Sequence, residues 1–188
     1  MLACVAASPA LAESLRFDRD AVASGESWRV ATAVFAHYTP AHFAGNALAC
    51  ALPAWWIERH SRSDLARTLA LALLASALLL ANAPRELAQF AGASGVAIAL
   101  AVFAVTRGIS ESRGRERFAW SAFLAFVLAK LAAESIAGFA LTSGAEYTLW
   151  PPSHWAGALA GAISALSPSS SGSSHPGCSS RPSSPRER

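Results

Sequence analysis

Apolar residues run along this chain in long blocks, and the charged residues fall between them. Residues 41–57 (AHFAGNALACALPAWWI) carry no formal charge, and their notable polar positions are His42 and Asn46. Residues 65–81 are apolar apart from Arg67 near one end, and residues 90–106 are uncharged. Residues 118–142 hold Lys130 and Glu134 as their only charges, and residues 150–166 hold none. A helix crossing a hydrocarbon core of roughly 30 Å takes about 17–25 residues, and each block reaches that length. In lipid the backbone must satisfy its own hydrogen bonds, so the blocks are predicted to be helices. A soluble bundle would instead interleave polar faces at every third or fourth position, which these blocks lack. The predicted fold class is an all-α membrane protein.

The start of the chain fits less neatly. Residues 1–12 (MLACVAASPALA) are apolar but too short to span alone. The triplet Ala10-Leu11-Ala12 has the small-residue form of a signal-peptide cleavage site, yet no basic region precedes it. The other reading is an incomplete first transmembrane helix whose upstream half is absent from this chain, and topology favours it. Of 14 Arg, ten fall in residues 58–67, 107–117 and the C-terminal tail, against four in the alternate segments. Arg-rich loops stay cytoplasmic. That places residues 13–40 outside and calls for a preceding helix, giving a six-helix bundle with both ends inside. The expected organisation is the incomplete helix at 1–12, a core at 13–166, and a disordered Ser/Pro/Arg-rich cytoplasmic tail at 167–188.

Composition supports this picture and excludes others. Only 14% of the 188 residues are charged and 53% are apolar, against roughly 25% charged in soluble domains. Mean hydropathy is +0.35. The net charge of +3 is accounted for by membrane topology. Cys4, Cys50 and Cys178 are odd in number and far apart, so neither a disulfide framework nor a zinc site is signalled. His175 and Cys178 lie in a tail too loose for a metal site. No metal-ligand cluster, phosphate loop or nucleic-acid signature appears.

Under the derived topology, unusual polar residues gather at one depth. His42 and Asn46 stand four apart on one face at the outer end of their span. Gly92-Ala93-Ser94-Gly95 and His154 open the outer ends of two others. Polar groups in membrane spans are costly and mark candidate functional sites. A serine hydroxyl becomes a nucleophile when a neighbouring base removes its proton, and a histidine suits that role at neutral pH. The developing oxyanion then needs donors, for which the Ser94 amide, Asn46 and His42 are candidates. Gly157 and Gly161 follow His154 on or near one face, and small faces allow close helix packing in lipid. Taken singly, each feature has a plain packing or interfacial explanation; their coincidence at one depth points to chemistry.

These residues resemble the rhomboid intramembrane serine proteases over about residues 17–165. Trp28-Arg29 followed by Thr32 is similar to the W-R-x-x-T segment of that family's first external loop. His42-x-x-x-Asn46, Gly92-x-Ser94-Gly95 and His154-x-x-Gly157-x-x-x-Gly161 are similar to its oxyanion, nucleophile and general-base motifs. The resemblance implies a Ser94–His154 dyad with no acidic third member, no metal and no cofactor, acting on membrane-spanning protein substrates in the bilayer. Within the family, residues 17–29, the A-S-G-V after the nucleophile and L-A-K-L-A-A-E in the fifth span resemble rhombosortases. That implies C-terminal sorting tails of GlyGly type as substrates, and a bacterial cytoplasmic membrane with the site near the external face. The competing class is a catalytically silent rhomboid-like protein that binds membrane helices. Lys130 and Glu134, four apart, are expected to form a structural ion pair. Trp55, Trp56 and Trp150 are expected in the interfacial belt, and Trp155 as a packing residue.

Overall fold

A computed structural model of the chain describes residues 8–138 and 150–168. Five long helices make the body: α4 (Pro40–His60), α5 (Arg62–Ala81), α6 (Ser94–Glu111), α7 (Gly114–Ala137) and α8 (Pro151–Leu166). Before them come three short helices, α1 (Pro9–Leu15), α2 (Arg19–Ala23) and α3 (Arg29–Thr32), and a 3₁₀ turn at Ala33–Phe35. Two two-residue strands, β1 (Phe17–Asp18) and β2 (Gln89–Phe90), pair antiparallel. Seven residues of the segment predicted as a first span lie outside the described residues, as do residues 169–188 of the predicted tail. Within residues 8–12, Ser8 caps α1, which continues past Glu13 to Leu15.

Local chemistry sets the helix ends. The Thr39 side chain accepts from the His42 amide at 3.0 Å, and Pro40 opens α4, a cap followed by a residue with no amide to satisfy. Ser61 accepts from the Asp64 amide at 3.2 Å and starts α5 one residue after α4 ends. Gly138, at φ +72°, stops α7 in the left-handed conformation that glycine adopts without a Cβ clash.

Each predicted block yields a helix within its described residues, residues 139–142 of the fourth block lying outside them, with two corrections. Residues 90–93 are strand and turn, because Phe90 pairs with Phe17 and Gly92 sits at φ +125°. By length and apolarity, three described helices qualify as membrane crossings, α5, α6 and α7, where five were expected. Helix α8 has only 16 residues, and α4 is diluted by His42, Asn46 and its Glu58-Arg59-His60 end.

Polarity is turned inside out relative to a soluble bundle. On α5 the buried positions are Asp64, Thr68, Ala72, Ser76 and Leu80, a stripe at spacing four, while Leu74 and Leu78 are exposed. Leu48, Leu52, Phe126, Ile136, Leu159 and Ile163 also face outward. Water would penalise so wide an apolar surface; lipid solvates it. Helix α6 is the axis, with 56% of its apolar window buried against 22% for α5 and 17% for α7.

Helix α8 meets this axis through glycines. A Cβ on Gly157 would collide with the Gly95 carbonyl oxygen, and one on Gly161 with that of Ala99. A Cβ on Gly95 would lie 2.8 Å from the Ser153 carbonyl oxygen. The backbones therefore touch where larger residues would hold them apart. At the other end of α8, Arg67 Nη2 donates to the Ser164 carbonyl at 2.9 Å and to Asp64 Oδ1 at 2.9 Å. Arg107 pairs with Asp64 Oδ2 at 3.3 Å, and the Thr68 and Ser164 hydroxyls meet at 2.8 Å. The helix is thus clamped by close packing along its length and by hydrogen bonds at its end.

Gly161→Leu should lower stability in detergent by at least ~1–3 kcal/mol, the usual cost of overpacking, read from the unfolding midpoint. Leu159→Ala, on the exposed face of the same helix, should move that midpoint within about 0.5 kcal/mol.

Candidate active site

The segment before α4 is a folded cap on this end of the bundle. Arg29 donates to Glu26 Oε2 at 2.7 Å and to the Glu13 and Arg16 carbonyls at 2.6 and 3.1 Å. The Thr32 hydroxyl donates to the Leu15 carbonyl at 2.8 Å. Arg29 and Thr32 therefore fasten α1 and its exit to α3, while Trp28 stands half-exposed at the start of α3. From the other side, Arg19 Nε donates to the Leu87 carbonyl at 3.0 Å. Asp18 receives the Ala21 and Asp20 amides and the Gln89 side-chain amide. Those bonds, the Ala21 amide foremost, hold its carboxyl below the usual carboxylate range. Phe17, Ala33, Leu80 and Phe90 form a small core beneath. None of this places a side chain at Ser94; it fixes the strand that leads there.

The strand ends in a glycine turn. Gly92 donates to the Ala33 carbonyl at 3.1 Å. A Cβ on Gly92 would lie 2.8 Å from His42 Cε1 and 3.4 Å from Asn46 Nδ2. The absence of a side chain there lets His42 and Asn46 approach the turn that delivers Ser94. Ser94 is the first residue of α6, and Ala93 before it offers no side-chain cap, so first-turn amides remain available. Asn46 Nδ2 is buried without a hydrogen-bond partner. The His42 ring is packed edge-on against His37 at 5.0 Å and stacked on Tyr38 at 6.0 Å. His37 and Tyr38 carry no motif signal, and sequence reasoning missed them.

Helix α8 completes the cluster. His154, 4% exposed, sits in its first turn, and His154 Nε2 lies 2.9 Å from Ser94 Oγ. The contact follows from the backbone meeting of Gly95 with Gly157 and Ser153. The three motif segments of α4, α6 and α8 thus converge, whereas Trp28 and Arg29 stay in the cap above. A cavity of about 820 Å³ opens beside them between α4 and α7, reaching His42, Asn46, Ser94 and His154. Its walls include Leu52, Trp56, Phe123 and Val127.

The neighbouring residues make contacts beyond those expected. Lys130 and Glu134 do pair, Nζ to Oε1 at 2.6 Å, but Glu134 Oε2 also lies 3.4 Å from His154 Nδ1. Trp155 donates from Nε1 to Ser135 Oγ at 3.0 Å, so it ties α8 to α7 rather than merely packing. Trp56 packs against Trp120 and Trp150 against Phe90; of the expected belt residues, Trp55 is the exposed one.

A family model described as the Rhomboid domain matches residues 24–169, which includes every motif above. Comparison with curated proteins gives no match.

Gly92→Ala should cost about 1–3 kcal/mol of stability from backbone strain, plus the collision with His42, measured by unfolding in detergent. In a His42→Ala background the same change should cost less, because only the backbone strain remains. Equal costs in both backgrounds would mean that Gly92 does not make room for His42.

Proposed function

Because this chain belongs to the rhomboid family of intramembrane proteases, we propose that it is a serine endopeptidase that cuts membrane-spanning protein segments. The observation that carries this reading is the 2.9 Å contact between Ser94 Oγ and His154 Nε2 inside a bundle whose outer surface is apolar. Surface serines and histidines meet by chance; here both groups sit where polar side chains are costly and where glycine packing brings their helices together.

The chemistry runs in two halves. Ser94 Oγ attacks the scissile carbonyl carbon while its proton passes to His154 Nε2. The carbonyl oxygen becomes an oxyanion, received by the Asn46 side-chain amide, the His42 imidazole and the Ser94 backbone N–H. The buried Asn46 Nδ2 without a partner supports its part, since an unmade buried hydrogen bond costs about 1–3 kcal/mol. The oxyanion forms in a site walled by Leu52, Phe123 and Val127, where donors act more strongly than in water. The intermediate collapses as His154 returns the proton to the leaving amine, leaving an acyl ester on Ser94. Water, losing a proton to His154, then attacks the ester and frees Ser94.

The cavity between α4 and α7 is the entrance for substrate: it joins the lipid-facing wall to the Ser94–His154 pair. The Arg distribution supports a site near the external face of a bacterial cytoplasmic membrane. The rhombosortase-like stretches support C-terminal sorting tails as substrates, each with a glycine pair, an apolar helix and basic residues.

A secreted reporter carrying such a tail should be trimmed when co-expressed with the full chain. Ser94→Ala should abolish trimming at unchanged protein level. Trimming that persists in the Ser94→Ala variant would overturn the assignment. A wild-type chain that retains the reporter without cutting it would support a catalytically silent helix-binding protein instead.

A further inference from the structure

The Ser94–His154 pair has a third neighbour. Glu134, fully buried on α7, directs its two oxygens in different directions. Oε1 accepts from Lys130 Nζ at 2.6 Å, and Oε2 faces His154 Nδ1 at 3.4 Å. On the far side of the same imidazole, Nε2 faces Ser94 Oγ. Three helices therefore contribute a hydroxyl, an imidazole and a carboxylate in succession. A second tie next to this one, Trp155 Nε1 to Ser135 Oγ at 3.0 Å, joins the residues that follow His154 and Glu134 and fixes α7 against α8 at this level.

A neutral imidazole carries its hydrogen on one nitrogen and accepts at the other. For Nε2 to take the serine proton, Nδ1 must bear the hydrogen, and the group facing Nδ1 decides whether that tautomer is favoured. Among the described residues, His154 Nδ1 has no closer hydrogen-bond partner. A carboxylate there favours Nδ1–H, holds the ring against rotation and stabilises the imidazolium that forms during attack. At 3.4 Å the pair is longer than an ordinary hydrogen bond, and the attraction between them grows as the ring gains charge. An isolated carboxylate would be costly at this depth, and the Lys130 ammonium offsets that cost. A purely structural ion pair has no need to aim its second oxygen at the imidazole.

We infer that Glu134 is a positioning residue for the Ser94–His154 pair, holding His154 through Nδ1 while its other oxygen is held by Lys130. This rests on the protease reading above, and the test separates the two. The probe is a fluorophosphonate with the full chain in detergent. In that reaction the Ser94 Oγ–phosphorus bond forms, the phosphorus–fluorine bond breaks, fluoride leaves, and the hydroxyl proton goes to His154 Nε2. Glu134→Gln, which keeps size and removes charge, should slow the bond-forming step roughly 10²-fold or more, as loss of the orienting carboxylate does in serine-protease triads. Reversible binding of the probe should be unchanged. Lys130→Met, which keeps the carboxylate but removes its ion-pair partner, should lower the unfolding midpoint and slow labelling less than Glu134→Gln does.

The Lys130→Met/Glu134→Gln double variant removes both charges and should regain the unfolding midpoint while labelling stays slow. It also carries the test if Glu134→Gln alone fails to fold. A double variant that labels at the wild-type rate would reduce Glu134 to a structural partner of Lys130 and overturn the inference. So would a folded Glu134→Gln variant with unchanged labelling. A wild-type chain unlabelled at Ser94 would overturn the protease reading itself.

Discussion

The direct backbone approach of α6 and α8 is the constraint from which the site follows. Gly157 lies on the Gly95 carbonyl and Gly161 on that of Ala99, and no residue with a Cβ fits at either glycine without moving a helix. Lipid supplies little hydrophobic force to press two apolar helices together, so close packing and buried hydrogen bonds must do it. The same contact that holds α8 in place carries His154 to Ser94. Stability and site geometry are therefore coupled: the face that packs is the face that presents the imidazole.

A second requirement is that polar groups inside the bundle be satisfied. At one end of α8, Asp64, Arg67, Arg107, Thr68 and Ser164 form a mutually bonded set. At the other, Ser94, His154, Glu134 and Lys130 are linked across three helices. Unpaired, any of these charges would favour a different packing or pull water inward. The Asn46 amide nitrogen departs from this rule. A donor without an acceptor, beside a serine at a helix N-terminus, suits the oxyanion role proposed for Asn46.

Much of this was legible from the chain. The apolar blocks foretold the five long helices because a membrane imposes one secondary structure on a long uncharged segment. Ser94, His154, His42 and Asn46 could be grouped because topology assigns them a common depth, and the glycine spacing foretold which helices touch. Other features were hidden for identifiable reasons. The Phe17–Phe90 pairing joins two short segments far apart in sequence, and two residues show no periodicity. The turn at Gly92 fell inside an uncharged block, where hydropathy cannot distinguish strand from helix. Lys130 and Glu134 announced each other by spacing alone, but the second oxygen of Glu134 reaches another helix, and no spacing on α7 reports that. Trp155 likewise read as packing because its partner, Ser135, belongs to a different element.

The central claim is that Ser94 and His154 act together on one bond in a membrane-embedded cavity. A chloroisocoumarin tests both at once, since such a reagent acylates a serine and then alkylates a histidine within reach of the acyl group. Peptide mapping by mass spectrometry of the treated full chain should find the Ser94 and His154 peptides joined by one reagent molecule. A label confined to another serine, or Ser94 and His154 both unmodified while the chain remains folded, would contradict the account.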